Sequence, residues 1–158
     1  MEDKDYIELN HFSNEDIDAL NSFELPEEQG QFTSLPINYN VATKGQNRIV
    51  ILCNKEPVGF FILHSTDRVK DYSENPNAML LTSFSITYPK QGKGYAKRAM
   101  FLLREFVATE FPHCNEIVLA VNHKNISAQH LYVKVGFKDT GKRKIGPIGE
   151  QYIMNLVL

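Results

Sequence analysis

The chain has 158 residues, 42% of them apolar and 23% charged, and its 17 Lys and Arg against 19 Asp and Glu leave a formal charge of −2. Such a composition suits one soluble globular domain over residues 1–158, and the near-balanced charge excludes a general binder of nucleic acid or membrane surfaces, which carries a clear basic excess. The two cysteines, Cys53 and Cys114, stand far apart, and no apolar leader follows Met1-Glu2-Asp3-Lys4-Asp5, which points to a reduced, cytoplasmic protein. No apolar run approaches the ~20 residues of a membrane span.

From the N-terminus, Tyr6 to Leu9 reads as a short strand. Ser13-Asn14-Glu15-Asp16 then resembles a helix start, with Ser13 as cap and acids in the first turn, leading through Ile17 and Leu20 toward Phe23 and stopping before Pro26. Arg48 to Cys53 and Val58 to His64 are β-branched and apolar runs on either side of Asn54-Lys55-Glu56-Pro57, which predicts a β-hairpin. Ser65 to Asn77 is polar and reads as a loop, and Met79 to Ile86 as the next strand. Beyond Gly94 the period lengthens: Tyr95/Ala96, Ala99/Met100, Leu102/Leu103 and Phe106/Val107 recur at helical spacing, an amphipathic helix that ends before Pro112. Ile117 to Val121 is fully apolar, as in a strand covered on both faces. Asn125 opens a second helix with Ala128, Leu131, Tyr132 and Val135 on one side and Gly136 as its stop. Strands from Phe137 and over Gln151 to Leu158 complete a fold of class α/β (α+β), one mixed central sheet with helices on both faces.

The stretch Gln91-Gly92-Lys93-Gly94-Tyr95-Ala96 lies between a strand and the first turn of a helix. Glycines there let backbone N–H groups approach an anion, and the unpaired N–H groups and dipole of the helix start favour negative charge. Lys93 and Lys97, with Arg98 nearby, add ionic attraction. Two glycines alone equally make a simple turn beside a solvated cationic helix face. The stretch is neither a P-loop nor the three-glycine dinucleotide fingerprint.

About thirty residues later stands Asn125-Ile126-Ser127-Ala128-Gln129-His130-Leu131-Tyr132-Val133-Lys134-Val135-Gly136-Phe137. Together the two stretches resemble the GCN5-related N-acetyltransferase (GNAT) family. Gln91-x-x-Gly94-x-Ala96 matches one hallmark of that family and Asn125-x-x-Ala128-x-x-Leu131-Tyr132-x-x-x-Gly136-Phe137 the other, in the family's order and spacing. The resemblance covers residues 47–158, an acetyl-CoA-binding core; residues 1–46 fit the variable acceptor-side segment by position. It implies a single-domain GNAT-like fold with splayed central strands, acetyl transfer from acetyl-CoA to an amine, and no metal. By the same resemblance, the pyrophosphate would sit on the backbone of Gly92, Lys93, Gly94, Tyr95, Ala96 and Lys97, with Gln91 contributing. The pantetheine arm would pair with Phe84, Ser85 and Ile86, and Asn125 would touch it.

Tyr132 would point its hydroxyl at the cofactor sulfur. A phenol with an ordinary pKa near 10 can protonate a leaving thiolate; otherwise Tyr132 is a core residue sharing a face with Ala128 and Leu131. The Ile86 N–H is the expected oxyanion donor. The general base is open. Some relatives carry a carboxylate on the central strands, whereas Ser83, Ser85, Leu119 and Val121 stand there in this chain. Glu150, Asp67 and a water chain are the substitutes. His64, His123 and His130 show no partner in sequence, and His113 beside Cys114 makes no nucleophile pair by adjacency.

Residues 1–28 hold ten acids and one base, so the remainder carries a net +7. An acidic wall would steer a cationic amine inward, which favours a polyamine or similar small basic metabolite. The alternative is that Glu15, Asp16, Asp18, Glu24, Glu27 and Glu28 only solvate a helix. Two other readings stand beside the amine N-acetyltransferase: a non-catalytic CoA-binding domain on the same scaffold, and an enzyme acting on a protein N-terminus or lysine. The apolar end Ile153 to Leu158 permits a homodimer through the C-terminal strands.

Overall fold

The computed structural model describes residues 5–158; of the acidic N-terminal segment, Glu2, Asp3 and Lys4 lie outside the described residues. Seven strands form one sheet: β1 (Ile7–His11), β2 (Gln46–Cys53), β3 (Glu56–His64), β4 (Ala78–Ile86), β5 (Glu116–Asn122), β6 (Lys138–Gly146) and β7 (Gly149–Val157). Their order is β1-β2-β3-β4-β5-β7-β6. Every neighbouring pair is antiparallel except β4 and β5, which run parallel. The β2–β3 hairpin turns on Asn54 and Lys55, both at positive φ (50° and 72°), the twist a two-residue hairpin loop requires.

Both faces of the sheet are covered, which is why β2 and β3 read as apolar runs and not as alternating patterns. On one face α3 (Tyr95–Glu110) and α4 (Ile126–Lys134) bury Ala99, Leu103, Val107 and Tyr132 against Ile49, Ile51, Phe61, Met79 and Leu119. The other face carries the short helix α1 (Ile17–Asn21) and the 3-10 turns Pro36–Tyr39 and Asp67–Asp71. Leu20 and Phe23 pack there on Val50, Phe60 and Ile62, and Val69 on Ala78, Leu80 and Val118.

Element ends moved where tertiary contacts outweigh local signals. β1 continues to His11 because β2 runs alongside it as far as Ile49. The capped helix start is a 3-10 turn, Asn14–Asp16, in which the Asp16 carboxylate accepts from the Ser13 N–H at 2.9 Å. Helix α1 then ends at Asn21, and a single helical turn, α2 (Glu27–Gly30), follows Pro26. Ile153, Met154 and Leu156 are buried within the chain's own sheet, where β7 lies between β5 and β6.

The feature that positions the site is the parting of β4 and β5. They pair over three residues only, Ala78 with Glu116, Met79 with Ile117 and Leu80 with Val118, after which Leu81–Ile86 and Leu119–Asn122 diverge. The β3–β4 register slips between Phe60 and Ile62. There Ser83 takes a left-handed φ of 59°, a bulge that bends β4 away from β5. Gly59 holds β3 against the bent strand: a Cβ there would lie 2.7 Å from both Ile51 Cδ1 and Ile86 Cδ1.

Candidate functional site

The parted strands open into a cleft of about 1080 Å³. Its floor is Leu81–Ile86 of β4 and Leu119–Asn122 of β5. One end is closed by the start of α3, the other side by Phe32–Ser34, Arg68 and the β6–β7 turn at Pro147 and Ile148.

At the α3 end, Gly92 (φ 78°) and Gly94 (φ 81°) both take left-handed backbone, and space around a Cβ at either position is open to 4 Å. Gly94 is the N-cap and gives no side-chain cap, so the first N–H groups of a sixteen-residue helix face the cleft unbonded by any capping side chain. Such a helix start favours an anion. Lys90 and Lys97 flank it. Lys93 does not line the cleft; it lies between the two left-handed glycines and is exposed. Gln91 is held in place, its Nε2 donating to the Ile86 carbonyl at 2.8 Å and its amide pairing with that of Gln29 from α2 at 2.8 and 3.1 Å. Gln91 thereby ties α2 to the end of β4.

Along the floor, the Thr87 N–H donates to the Val58 carbonyl at 3.0 Å. The alternation of an antiparallel ladder then turns the N–H and C=O of Ile86 away from β3 and toward the parted side. Phe84 and Ser85 line the same wall. Ser85 is 5% exposed and its Oγ has no hydrogen-bond partner among the described residues. The Asn125 side chain caps α4, accepting from the Ala128 N–H at 3.3 Å, and the residue lines the cleft.

Tyr132 lines the cleft at 7% exposure, its ring against Phe84 (6.4 Å) and Phe137 (5.6 Å) between centroids. Burial pushes its phenol well above the ordinary range, so the hydroxyl keeps its proton at every working pH. Cleft lining and core packing, set against each other in sequence, coincide in this one side chain.

Neither sequence substitute for the base lines the cleft. Asp67 pairs with Lys70 at 3.3 Å, and Glu150 lies on β7 beyond the lining residues. Of the acids in the N-terminal segment, Glu28 reaches it. Glu28, Thr33 and Arg68 carry no site signal in sequence because they come from a loop and short turns with no motif; Thr82 lies on β4, where the sequence reads only as strand. His64 has a partner after all: its Nε2 lies 2.6 Å from Thr82 Oγ1.

His64 is 1% exposed, and burial, with the nearby Arg68 charge second, pushes its imidazole down to about 4. Its unfolded value is near 6.5, so protonation favours the unfolded chain. Stability on this account is full above about pH 6.5 and falls as pH drops toward 4, by roughly 3 kcal/mol in all. Thermal melts between pH 7 and 4.5 should show that slope flattened in His64→Gln; an equally steep slope would assign the loss to other groups.

The sequence profile of the Acetyltransferase (GNAT) family matches residues 14–137. The "Uncharacterized N-acetyltransferase YbbJ" of Bacillus subtilis (strain 168) is 49% identical over 153 residues, covering 94% of this chain and 96% of that protein. The chain therefore belongs to the GNAT acetyltransferase family. Among solved structures, a protein from Bacillus halodurans (bh2621) superposes with a TM-score of 0.78 at 18% identity, over 96% of this chain and 83% of the other. Aminoglycoside acetyltransferase AAC(6')-Ib, in complex with coenzyme A and kanamycin, gives 0.76 at 16% identity, over 96% and 95% of the two chains. These superpositions show a fold shared with this chain. Among the described residues, no helix is long and apolar enough to cross a membrane.

Proposed function

We propose that this GNAT-family acetyltransferase moves the acetyl group of acetyl-CoA to the primary amine of a small molecule, by direct attack in a ternary complex. The observation that carries the reading is the run of features along one cleft: an uncapped helix start with two open glycines, a strand edge released by its neighbour, and a buried phenol between them. Acetyl-CoA supplies the acetyl group as an activated thioester.

The residues present fit that co-substrate. The N–H groups following Gly92 and Gly94 bind the pyrophosphate where any Cβ would intrude, with Lys97 adding charge. The released edge of β4 at Phe84 pairs with the amides of the pantetheine arm, and Asn125 lies beside it. The Ile86 N–H donates to the carbonyl oxygen as negative charge grows on it. Tyr132 holds its proton until the sulfur leaves and then donates it. An alkyl ammonium must lose a proton before it attacks; water in the open cleft, or Glu28, takes it.

For the acceptor, the acids of the N-terminal segment support attraction of a positively charged amine, the basis for expecting a small basic metabolite such as a polyamine. Among the described residues of that segment, one carboxylate, Glu28, lines the cleft. The test is thiol release from acetyl-CoA by the purified chain against small amines and short peptides, with calorimetry of acetyl-CoA binding alongside. Release with a small amine is the expected result. Binding without release for every amine would support the non-catalytic CoA-binding alternative, and release with peptides alone would favour a protein acceptor.

A further inference from the structure

Among the cleft's charged side chains, Lys90, Lys97 and Lys124 border the phosphate-binding end and Asn125. Arg68 stands apart from them. It comes from the 3-10 turn Asp67–Asp71 on the opposite face of the sheet, anchored by Val69 against Leu80 and Val118. Those two residues form the last β4–β5 pair before the strands separate, so Arg68 lies where the cleft begins, close enough for its charge to act on His64 behind Thr82.

The other arginines are all engaged within the chain. Arg48 donates to the Tyr39 and Asn40 carbonyls, Arg98 to the Asp5 carbonyl, Arg104 to the Val157 carbonyl, and Arg143 to both oxygens of Asp139. Arg68 has no hydrogen bond or ion pair among the described residues, and its neighbour Asp67 is taken by Lys70. A guanidinium presents a planar fork that matches a carboxylate with two parallel N–H···O bonds. Two hydroxyls that line the same cleft, Thr33 Oγ1 and Ser85 Oγ, are buried without a partner. A polycationic acceptor meets a repelling guanidinium there and, among the described residues lining the cleft, one carboxylate, that of Glu28.

We infer that the acceptor is an amine that also carries a carboxylate, such as an α-amino acid or a small amino-carboxylate, with Arg68 holding the carboxylate and Glu28 facing the ammonium. This rests on the reading of the cleft as the acetyl-transfer site. The acidic segment still attracts the ammonium end, and Arg68 selects what is attached to it.

The experiment compares thiol release with the full set of amino acids and small amino-carboxylates, with the same molecules as carboxamides, and with polyamines and aminoglycosides. Expected is turnover of one or more amino-carboxylates, a kcat/KM about 100-fold lower for the matching carboxamide, and the same loss in Arg68→Gln, carried by KM for the acceptor. Arg68→Gln should bind acetyl-CoA with unchanged affinity and cease to distinguish acid from amide; Arg68→Lys should recover part of the difference. Turnover of polyamines with none of amino-carboxylates, equal rates for acid and amide, or an unaffected Arg68→Gln would overturn the inference while leaving acetyl transfer intact. Failure to bind acetyl-CoA, or binding with no release for any amine, would overturn both.

Discussion

Tyr132→Phe is expected to lower kcat by about 100- to 1000-fold while the dissociation constant of acetyl-CoA stays within about twofold. The substitution removes one oxygen and leaves the ring that packs on Phe84 and Phe137. No protein group among the described residues bonds that hydroxyl, so the folded chain loses packing nowhere and stability should change by less than about 1 kcal/mol. What is lost is a proton placed at the leaving sulfur. Burial raises the phenol above its ordinary value, so the group stays neutral through the working range, and the alkaline limb of a kcat profile should not be set by it below about pH 10. Steady-state thiol release and calorimetry on the two proteins separate the terms. Unchanged kcat would reduce Tyr132 to a packing residue.

The parts of this molecule legible in sequence are those whose causes are local. Helix α3 announces itself by period and by the glycine at its start, and α4 by Asn125 and Gly136, because capping and left-handed backbone are decided within a few residues. The hairpin of β2 and β3 is equally local. The walls of the cleft are not. Phe32–Ser34, Arg68 and Pro147–Ile148 meet only because the sheet brings chain segments tens of residues apart to one opening, and no periodicity encodes that meeting. Sequence proximity says little about where a charged side chain goes: Lys93 sits between the two motif glycines, yet it is exposed and is not among the residues that line the cleft. Asp67 was singled out where its neighbour Arg68 lines the site, since a turn of three residues per revolution sends adjacent side chains in different directions. Whether β4 and β5 would part was carried by family resemblance; the physical cause, the bulge at Ser83, has no signature in the run Leu80-Leu81-Thr82-Ser83-Phe84.

The second large effect is expected at Gly94. Gly94→Val should weaken acetyl-CoA binding by at least about 100-fold while the unliganded chain still folds. A non-glycine residue at φ 81° costs about 1–2 kcal/mol, more for a β-branched one, which lowers the melting temperature by several degrees in a domain of this size. Nothing beyond the chain neighbours lies within 4 Å of the new Cβ, so strain in the backbone is the main cost to the fold. The cost to binding is separate, because the side chain enters the space that the first N–H groups of α3 offer to a phosphate. Gly141→Val distinguishes the two. Gly141 has φ 85° and the same open surroundings, but stands on the edge strand β6, away from the cleft. It should lose a similar number of degrees in melting temperature and bind acetyl-CoA as the parent does. If both substitutions weaken binding equally, loss of stability explains the effect and the phosphate lies elsewhere; if Gly94→Val binds normally, the helix start is not the anchor.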